Sequence, residues 1–228
     1  MKALLLTAIV FAPVLIPNGH AVILYSNDFG ANNGGFAATN GGMSPVEAFN
    51  YSPGFWSVNG ETALGTPSTS EITSPAVTVP ATGAVSLSFD HRYNFEFDGI
   101  RWDGGQVQMS VNGGSFTMVP GGSFTANGYI GVITGNGVLI GTEGFNDIST
   151  GYGAGNSLTS AANLGTLNGG DSVRVRFIVQ YDEFVRGNPD NTIPGWEITG
   201  VTINGVPEPG SAAVSLLGLG LLAARRRR

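Results

Sequence analysis

The sequence has no cysteine, one lysine and two histidines in 228 residues. The absence of cysteine excludes disulfide frameworks, thiolate zinc sites, iron–sulfur clusters and thiol catalysis. The two histidines, His20 and His91, leave little material for a histidine-based metal site or a catalytic triad. The formal net charge is −6, and acidic chains are poor ligands for nucleic acid, whose phosphates are bound by clustered Lys and Arg. We therefore expect no nucleic-acid partner.

The amino-terminal end combines one positive charge with an apolar run. Lys2 precedes Ala3–Ile16, and small residues stand at Gly19 and Ala21. This pattern predicts a secretory signal peptide over residues 1–21 with cleavage after Ala21. The run of 14 residues is shorter than the roughly 20 residues of a stable membrane span. The alternative is a buried first strand or helix of the domain.

The carboxyl-terminal end has three parts in a fixed order. Two prolines, at Pro207 and Pro209, flank Glu208, and the uncharged run Ser211–Ala224 follows. The chain then finishes on four basic residues, Arg225, Arg226, Arg227 and Arg228. A helix of this run would be about 21 Å long at 1.5 Å per residue, shorter than a hydrocarbon core of about 30 Å. We expect a short transmembrane helix that anchors the chain temporarily with its arginines in the cytoplasm; an ordinary tail anchor is the alternative.

This tail resembles the PEP-CTERM sorting signal over residues 206–228, with the motif at 207–209, the helix at 211–224 and the basic cluster at 225–228. The resemblance implies export across the envelope of a Gram-negative-type bacterium and recognition by an exosortase that cuts near the motif. It also implies an association with the cell surface, the extracellular matrix or exopolysaccharide. A sortase route is not supported, because no Leu-Pro-x-Thr-Gly motif is present.

The remaining residues, 22–205, are predicted to form one all-β domain. Apolar residues alternate with polar ones over 85–93, 107–111, 173–181 and 196–203, and no helical period of ten or more residues occurs. Asn112-Gly113 predicts a hairpin turn, and Gly200 predicts a bulge. Many short strands separated by polar loops favour an antiparallel, jelly-roll-like β-sandwich.

The order of several segments is similar to the jelly-roll domains of the MAM and concanavalin-like group. The similarity extends over residues 84–204, with an opening strand at Ile23–Phe29. Domains of this group often end with Trp-x-Ile-Asp-Asp-Val, whereas this sequence has Trp196-Glu197-Ile198-Thr199-Gly200-Val201. The two aspartates that the resemblance would assign to calcium are therefore absent.

Candidate chemistry rests on carboxylates next to strand ends. Asp28, Asp98 and Asp103 could contribute oxygen ligands to Ca²⁺, which takes six to eight of them. A carboxylate pair about 5–9.5 Å apart could instead cleave glycosidic bonds. The third interpretation is a set of solvated loop carboxylates, and no EF-hand-type loop is present. Asp182 and Glu183 stand at a further strand end.

The aromatic residues offer a second kind of candidate. Trp102 lies in a glycine-flanked loop between Arg101 and Asp103, where its ring could stack on a sugar. Trp56, next to Phe55, and Tyr129 are further stacking candidates, although core packing is the favoured prediction for Trp56 and Trp196. His91 alternates with Phe89 and Tyr93 and is therefore expected in the core or at its edge, with no catalytic role.

Two functions follow from these features. The first is an exported, non-enzymatic protein with a structural or adhesive role at the cell surface, without a cofactor, whose partners are the export machinery, an exosortase and transiently the membrane. The second is a domain that binds or cleaves polysaccharide, in which case a glycoside hydrolase is the enzymatic alternative.

Overall fold

The computed structural model describes residues 20–42, 48–58, 66–182 and 195–208. Within them the chain forms fifteen strands and two single 3₁₀ turns, at Gly121–Ser123 and Tyr152–Ala154. The larger sheet contains β1 (Val22–Asn27), β3 (Asn50–Ser52), β4 (Phe55–Val58), β7 (Gly83–Tyr93), β10 (Phe124–Ala126), β13 (Leu158–Leu167) and β15 (Trp196–Pro207). The second sheet contains β2 (Ala37–Gly42), β5 (Ser68–Thr73), β6 (Val77–Thr78), β8 (Gly104–Val111), β9 (Thr117–Met118) and β14 (Ser172–Tyr181). A separate hairpin joins β11 (Gly131–Val132) to β12 (Glu143–Gly144).

The two sheets form an antiparallel sandwich, as predicted. The larger sheet has the order β10-β13-β7-β15-β4-β3, and β1 also pairs with β15; the second has the order β2-β5-β14-β8-β9, and β6 also pairs with β14. All strand pairs are antiparallel. Strand β15 is central, because it pairs with β7 on one side and with β4 and β1 on the other.

The predicted strand details are confirmed where the alternation was strongest. Strand β7 buries every second residue along its whole length, and β14 does so up to Phe177 and then buries every residue to Tyr181. The predicted bulge at Gly200 is present, since the register of β15 against β7 shifts between Ile198 and Gly200. The predicted hairpin turn joins β8 to β9, and both Asn112 and Gly113 have positive φ.

The core changes in character along the strands. Near Pro207 and the start of β7 it is mainly aliphatic, whereas near the end of β7 it is mainly aromatic. The aliphatic part includes Val77, Val79, Val85, Leu87, Leu164, Leu167, Val173, Val175 and Ile203. The aromatic part includes Phe89, Tyr93, Phe95, Phe145, Phe177, Tyr181 and Trp196, together with the ring of His91, which contacts Phe89, Phe145 and Trp196.

The sandwich therefore has two distinct ends. At what we call the tail end, β1 begins, β15 ends, and the turns 79–82, 112–116 and 168–171 connect the strands. The opposite, far end carries the segments 94–103 and 127–157. The 11 residues of β7 separate the two ends by about 35 Å at about 3.3 Å per residue.

In the part of the chain that the structure describes, no helix has the length and apolar character needed to span a membrane. The predicted signal peptide up to residue 19 and the predicted helix 211–224 lie outside the described residues.

Candidate functional site

The far-end loop that follows β7 contains three of the four predicted metal and sugar-binding residues, Asp98, Trp102 and Asp103. Asp98 and Trp102 lie together there: one Asp98 oxygen, Oδ1, accepts the Trp102 indole N–H at 3.0 Å and the Ile100 backbone N–H at 3.2 Å. Asp98 is exposed and Trp102 is half-buried. The indole N–H is thus used within the loop, which fixes the ring and leaves part of its apolar surface accessible.

Arg101 connects this loop to the hairpin β11–β12. Its Nε donates to Oδ1 of the fully buried Asn146 at 2.7 Å, and its guanidinium lies over the Phe97 ring at 5.1 Å. The Arg101 carbonyl accepts the backbone N–H groups of Thr134 and Gly135 at 2.9 and 3.0 Å. The two chain segments therefore form one supported unit.

The glycine-rich stretch 131–141 supports Trp102. A Cβ at Gly135 would lie 1.9 Å from the Trp102 carbonyl oxygen, so only glycine permits this approach of the two backbones. Apart from the two residues of β11, this stretch is a loop. Its packing against the loop of Trp102 was not foreseen.

Asp103 and Asp28 occupy separate places. Asp103 is fully buried, and its Oδ1 accepts the Asp182 backbone N–H at 3.0 Å, which joins the start of β8 to the end of β14. Asp28 is exposed after β1, and its Oδ1 accepts the Gly30 backbone N–H at 3.0 Å. Asp28 thus stabilises its own turn, whereas Asp103 holds together two strand ends that are distant in the sequence.

The structure does not bring Asp28, Asp98 and Asp103 together as a group of calcium ligands. Among the described residues, no three His, Cys, Asp or Glu side chains lie where they could hold a metal ion together. The assignment of Ca²⁺ to Asp28, Asp98 and Asp103 stays a prediction, as does the carboxylate pair of a glycosidase. Glu183 lies outside the described residues.

His91 is fully buried in a chain of hydrogen bonds beneath the far end. Its Nδ1 accepts the Trp196 indole N–H at 3.0 Å, and its Nε2 lies 2.7 Å from the Ser160 Oγ. Because an indole N–H can only donate, Nε2 carries the proton of the neutral ring and donates to Ser160. The Ser160 hydroxyl then donates to the Asn127 carbonyl at 2.5 Å.

This arrangement is the reverse of a nucleophile with its base. A base would accept the serine proton, whereas His91 donates to Ser160, whose own proton goes to the backbone. Burial lowers the pKa of His91 to about 3, which keeps the ring neutral at physiological pH. The described contacts therefore make His91 a core residue, as expected.

Of the other aromatic candidates, Trp56 and Trp196 pack in the core as predicted. Tyr129 was a stacking candidate, but its ring packs against Phe124 and Phe145. Its hydroxyl accepts the Val107 N–H and donates to the Val107 carbonyl, and burial raises the pKa of that hydroxyl. Trp102 is the tryptophan outside the core.

The sequence interpretation missed a group of exposed aliphatic residues at the far end. They lie on the loops around Trp102 and on the hairpin β11–β12, and they are Ile100, Ile130, Val132, Val138, Ile140 and Ile148. Val138 is the most exposed of them, at 69%. Large aliphatic residues inside a glycine-rich loop were the available signal, since such loops normally carry polar residues.

The predicted sorting residues that the structure describes lie at the tail end. Pro207 is the last residue of β15 and pairs with Gly83, and the Glu208 backbone N–H donates to the Thr82 carbonyl at 2.9 Å. Ala21 is exposed directly before β1. Pro209 and Arg225–Arg228 lie outside the described residues.

The family model of the PEP-CTERM protein-sorting motif matches residues 205–228. The chain carries a PEP-CTERM motif. Such a motif indicates an exported protein that is sorted to the cell surface, and it begins here within the last strand of the sandwich. No curated protein is a significant match to the sequence.

Several solved structures are similar to the chain at low sequence identity. The K3 cleaved adhesin domain of Lys-gingipain from Porphyromonas gingivalis is 13% identical, with 81% of this chain and 99% of that domain covered and a TM-score of 0.43. The CBM2 module of the evolved Dit of Lactobacillus casei phage J-1 is 10% identical, with 84% and 99% covered and a TM-score of 0.42. A family 35 carbohydrate-binding module from Clostridium thermocellum is 15% identical, with 81% and 97% covered and a TM-score of 0.34.

Proposed function

We propose that this is an exported surface protein with an adhesive or structural role in the extracellular matrix, attached through its tail end and exposing its far end. The PEP-CTERM match at residues 205–228 supports the attachment. The observation that carries the proposal is the position of that motif, which continues directly from β15 at one end of the sandwich while Trp102 lies about 35 Å away at the other.

The tail supplies the proposed route to the surface. The export machinery removes residues 1–21, the apolar run 211–224 holds the chain temporarily in the inner membrane, and an exosortase processes the tail. Arginines resist transfer across the bilayer, so Arg225–Arg228 stay on the cytoplasmic side and the sandwich lies outside. Since only Pro209 and Gly210 separate Glu208 from this run, the tail end faces the membrane and the far end points away from it.

Localisation tests the sorting step. We expect the full chain to reach the surface, and we expect deletion of Arg225–Arg228 or replacement of Pro207, Glu208 and Pro209 by alanine to abolish surface placement and tail removal. Arg174→Ala is the matched control, because it removes an exposed arginine of the body. Unchanged surface placement of both tail variants would contradict the proposal.

Carbohydrate binding at the far end is the second candidate, and the fixed, half-buried Trp102 ring favours it. A glycan array probed with the full chain should give specific binding that is at least tenfold weaker in Trp102→Ala. Phe116→Ala is the control, because it removes a half-buried ring of the tail-end turn 112–116, where the Arg176 guanidinium packs against it. Binding that survives Trp102→Ala would exclude this residue as the sugar platform.

The enzymatic and calcium alternatives have their own tests. Hydrolysis of a polysaccharide that is lost in Asp98→Asn or Asp103→Asn would establish a glycosidase in place of an adhesive protein. A calcium ion held by Asp28, Asp98 or Asp103 would raise the melting temperature in CaCl₂ relative to EDTA, because a ligand of the native state alone stabilises it. An unchanged melting temperature at millimolar calcium would exclude such a site in that range.

A further inference from the structure

The sorting motif begins inside the folded sandwich. Strand β15 pairs with β7 along its whole length, up to Pro207 opposite Gly83. Proline has no N–H to contribute to a ladder, but the next N–H, of Glu208, donates to the Thr82 carbonyl at 2.9 Å. Thr82 is itself held, because its Oγ1 accepts the Gly169 backbone N–H at 3.0 Å. The first two residues of the motif are therefore attached to the body.

Gly83 makes this attachment possible. A Cβ at Gly83 would lie 2.1 Å from the Val206 carbonyl oxygen and 2.8 Å from the Pro207 Cα. Both contacts are with backbone, which cannot move aside without leaving the sheet. Gly83 therefore permits the end of β15 to lie against β7, and any larger residue would push it away.

A protease acts on backbone that is free to enter its active site. Cleavage concentrates in exposed segments without hydrogen-bonded backbone, and an extended substrate commonly pairs with its receptor through the same main-chain groups that a sheet uses. In this protein the backbone through the Glu208 N–H is already engaged by β7 and Thr82. Bonds on the amino-terminal side of Glu208 can be reached only after the end of β15 has opened.

We propose that the folded sandwich sets the amino-terminal limit of tail processing, so that the cut falls on the carboxyl side of Glu208 and the mature protein keeps Pro207 and Glu208 at the end of its central strand. The inference rests on the proposed processing of the tail by an exosortase. In that step the peptide bond breaks, its carbonyl carbon forms a new bond to water or to an amine of a surface acceptor, and the departing tail takes the proton on its new amino group.

The mature carboxyl terminus tests this directly. The full chain is expressed in a bacterium that carries a tail-processing exosortase, and the mass of the carboxyl-terminal peptide is measured on the surface or released protein. We expect the last residue to be Glu208 or a later one. A last residue at Pro207 or earlier would overturn the inference alone, whereas a chain that keeps its whole tail would overturn both the inference and the exosortase step.

Variants of the attachment give a second measurement. Gly83→Ala should free the end of β15 and give products that end at or before Pro207, which the wild type is expected to lack. Gly122→Ala is the matched control, because a Cβ there meets nothing within 4 Å and Gly122 has no positive φ. Equal product distributions in a folded Gly83→Ala protein and in the wild type would overturn the proposal.

An insertion covers the case in which Gly83→Ala does not fold. Four residues, Gly-Ser-Gly-Ser, placed between Val206 and Pro207 move the motif off the sheet while the sequence of β7 stays intact. We expect new termini within the insertion or between Pro207 and Glu208. A cut that stays on the carboxyl side of Glu208 in this variant would mean that the enzyme, and not the fold, sets the limit.

Discussion

The tail end and the far end of the sandwich are built differently. At the tail end the connections are short, and backbone bonds join them, such as Val79 N–H to the Asp171 carbonyl and Gly170 N–H to the Val79 carbonyl. At the far end the segment 127–157 runs from β10 to β13 with only two residues each in β11 and β12. These longer connections are held by backbone bonds, such as those from Thr134 and Gly135 to the Arg101 carbonyl, and by side-chain bonds such as that of Arg101 to Asn146.

The parts of the core beneath the two ends differ in composition. The tail end lies over aliphatic side chains and the far end over aromatic ones, with His91 and its hydrogen bonds among them. Large rings that contact several segments at once can support long loops, since each ring buries 150–250 Å². The proposed attachment therefore uses the end with short connections, whereas the long loops of the other end lie on an aromatic part of the core.

The largest expected effect on stability comes from removing one ring of the aromatic core beneath the far end. Trp196→Ala should lower the free energy of unfolding by about 4 kcal/mol, because it empties a fully buried site between Phe145 and Phe177 and leaves His91 without its donor. The corresponding change at the tail end, Val173→Ala, should cost about 2 kcal/mol. Denaturant unfolding measures both. Equal losses would show that the two halves of the core are energetically alike.

The second effect is a pH dependence that arises from His91, beneath the far end. His91 has a pKa of about 3 in the folded protein against an ordinary 6.5 because it is buried, so the unfolded state binds the proton more strongly. Stability from this group is complete above pH 6.5 and falls as the pH drops towards 3. We expect a loss of about 2 kcal/mol between pH 8 and pH 5.

His91→Gln separates this contribution from that of the carboxylates. A glutamine can accept from Trp196 and donate to Ser160 without titrating. The variant should therefore be nearly insensitive to pH in the same interval, as measured by denaturant unfolding at each pH. A wild-type protein whose stability is constant from pH 8 to pH 5 would contradict the neutral, buried assignment of His91.

Much of the strand arrangement could be predicted from alternation, because β7 and β14 place large apolar residues on one face and polar ones on the other. Strand β13 was not predicted. Its buried face begins with Ser160 and Ala162, so the side chains themselves give almost no hydrophobic period. Strand β5 likewise buries Ser68 and Ser70. Both strands are defined by the neighbours with which they pair.

The site was predictable only in part, for a similar reason. The spacing of Asp98 and Trp102 placed both in one loop, and the structure joins them by a hydrogen bond. Nothing local marks Asp103 as buried, because its partner is the Asp182 N–H, 79 residues away. The attachment of Pro207 to β7 could not be predicted either, because its partner Gly83 lies on a strand that is distant in the sequence. Contacts between distant segments decide these roles.

The third prediction compares one cross-strand pair at each end. Arg92 on β7 donates through Nε and Nη2 to both oxygens of Glu197 on β15, at 3.0 Å each, and this bonding raises the pKa of Arg92. Glu197→Gln should cost about 1.5 kcal/mol, less in high salt. Towards the tail end the same two strands pair Ser86 with Asn204.

Asn204→Ala is therefore the matched control for that pair. Neither Ser86 nor Asn204 is charged, and we expect its cost to be below about 0.5 kcal/mol and independent of salt. Thermal unfolding at low and at high NaCl measures both variants. A cost of Glu197→Gln that does not depend on salt would mean that packing, and not the ion pair, stabilises this position.

The smallest expected effect on stability is at the rim of the far end. Trp102 is half-buried, and its hydrogen-bond partner Asp98 is exposed, so Trp102→Ala should cost less than about 1 kcal/mol. Denaturant unfolding of Trp102→Ala and of Trp196→Ala tests whether the stability of the far-end loop is independent of the stability of the aromatic core. If it is, loss of glycan binding in Trp102→Ala reports on the ring itself. A loss of stability close to that of Trp196→Ala would instead place Trp102 in the core and remove the distinction between the loops and their support.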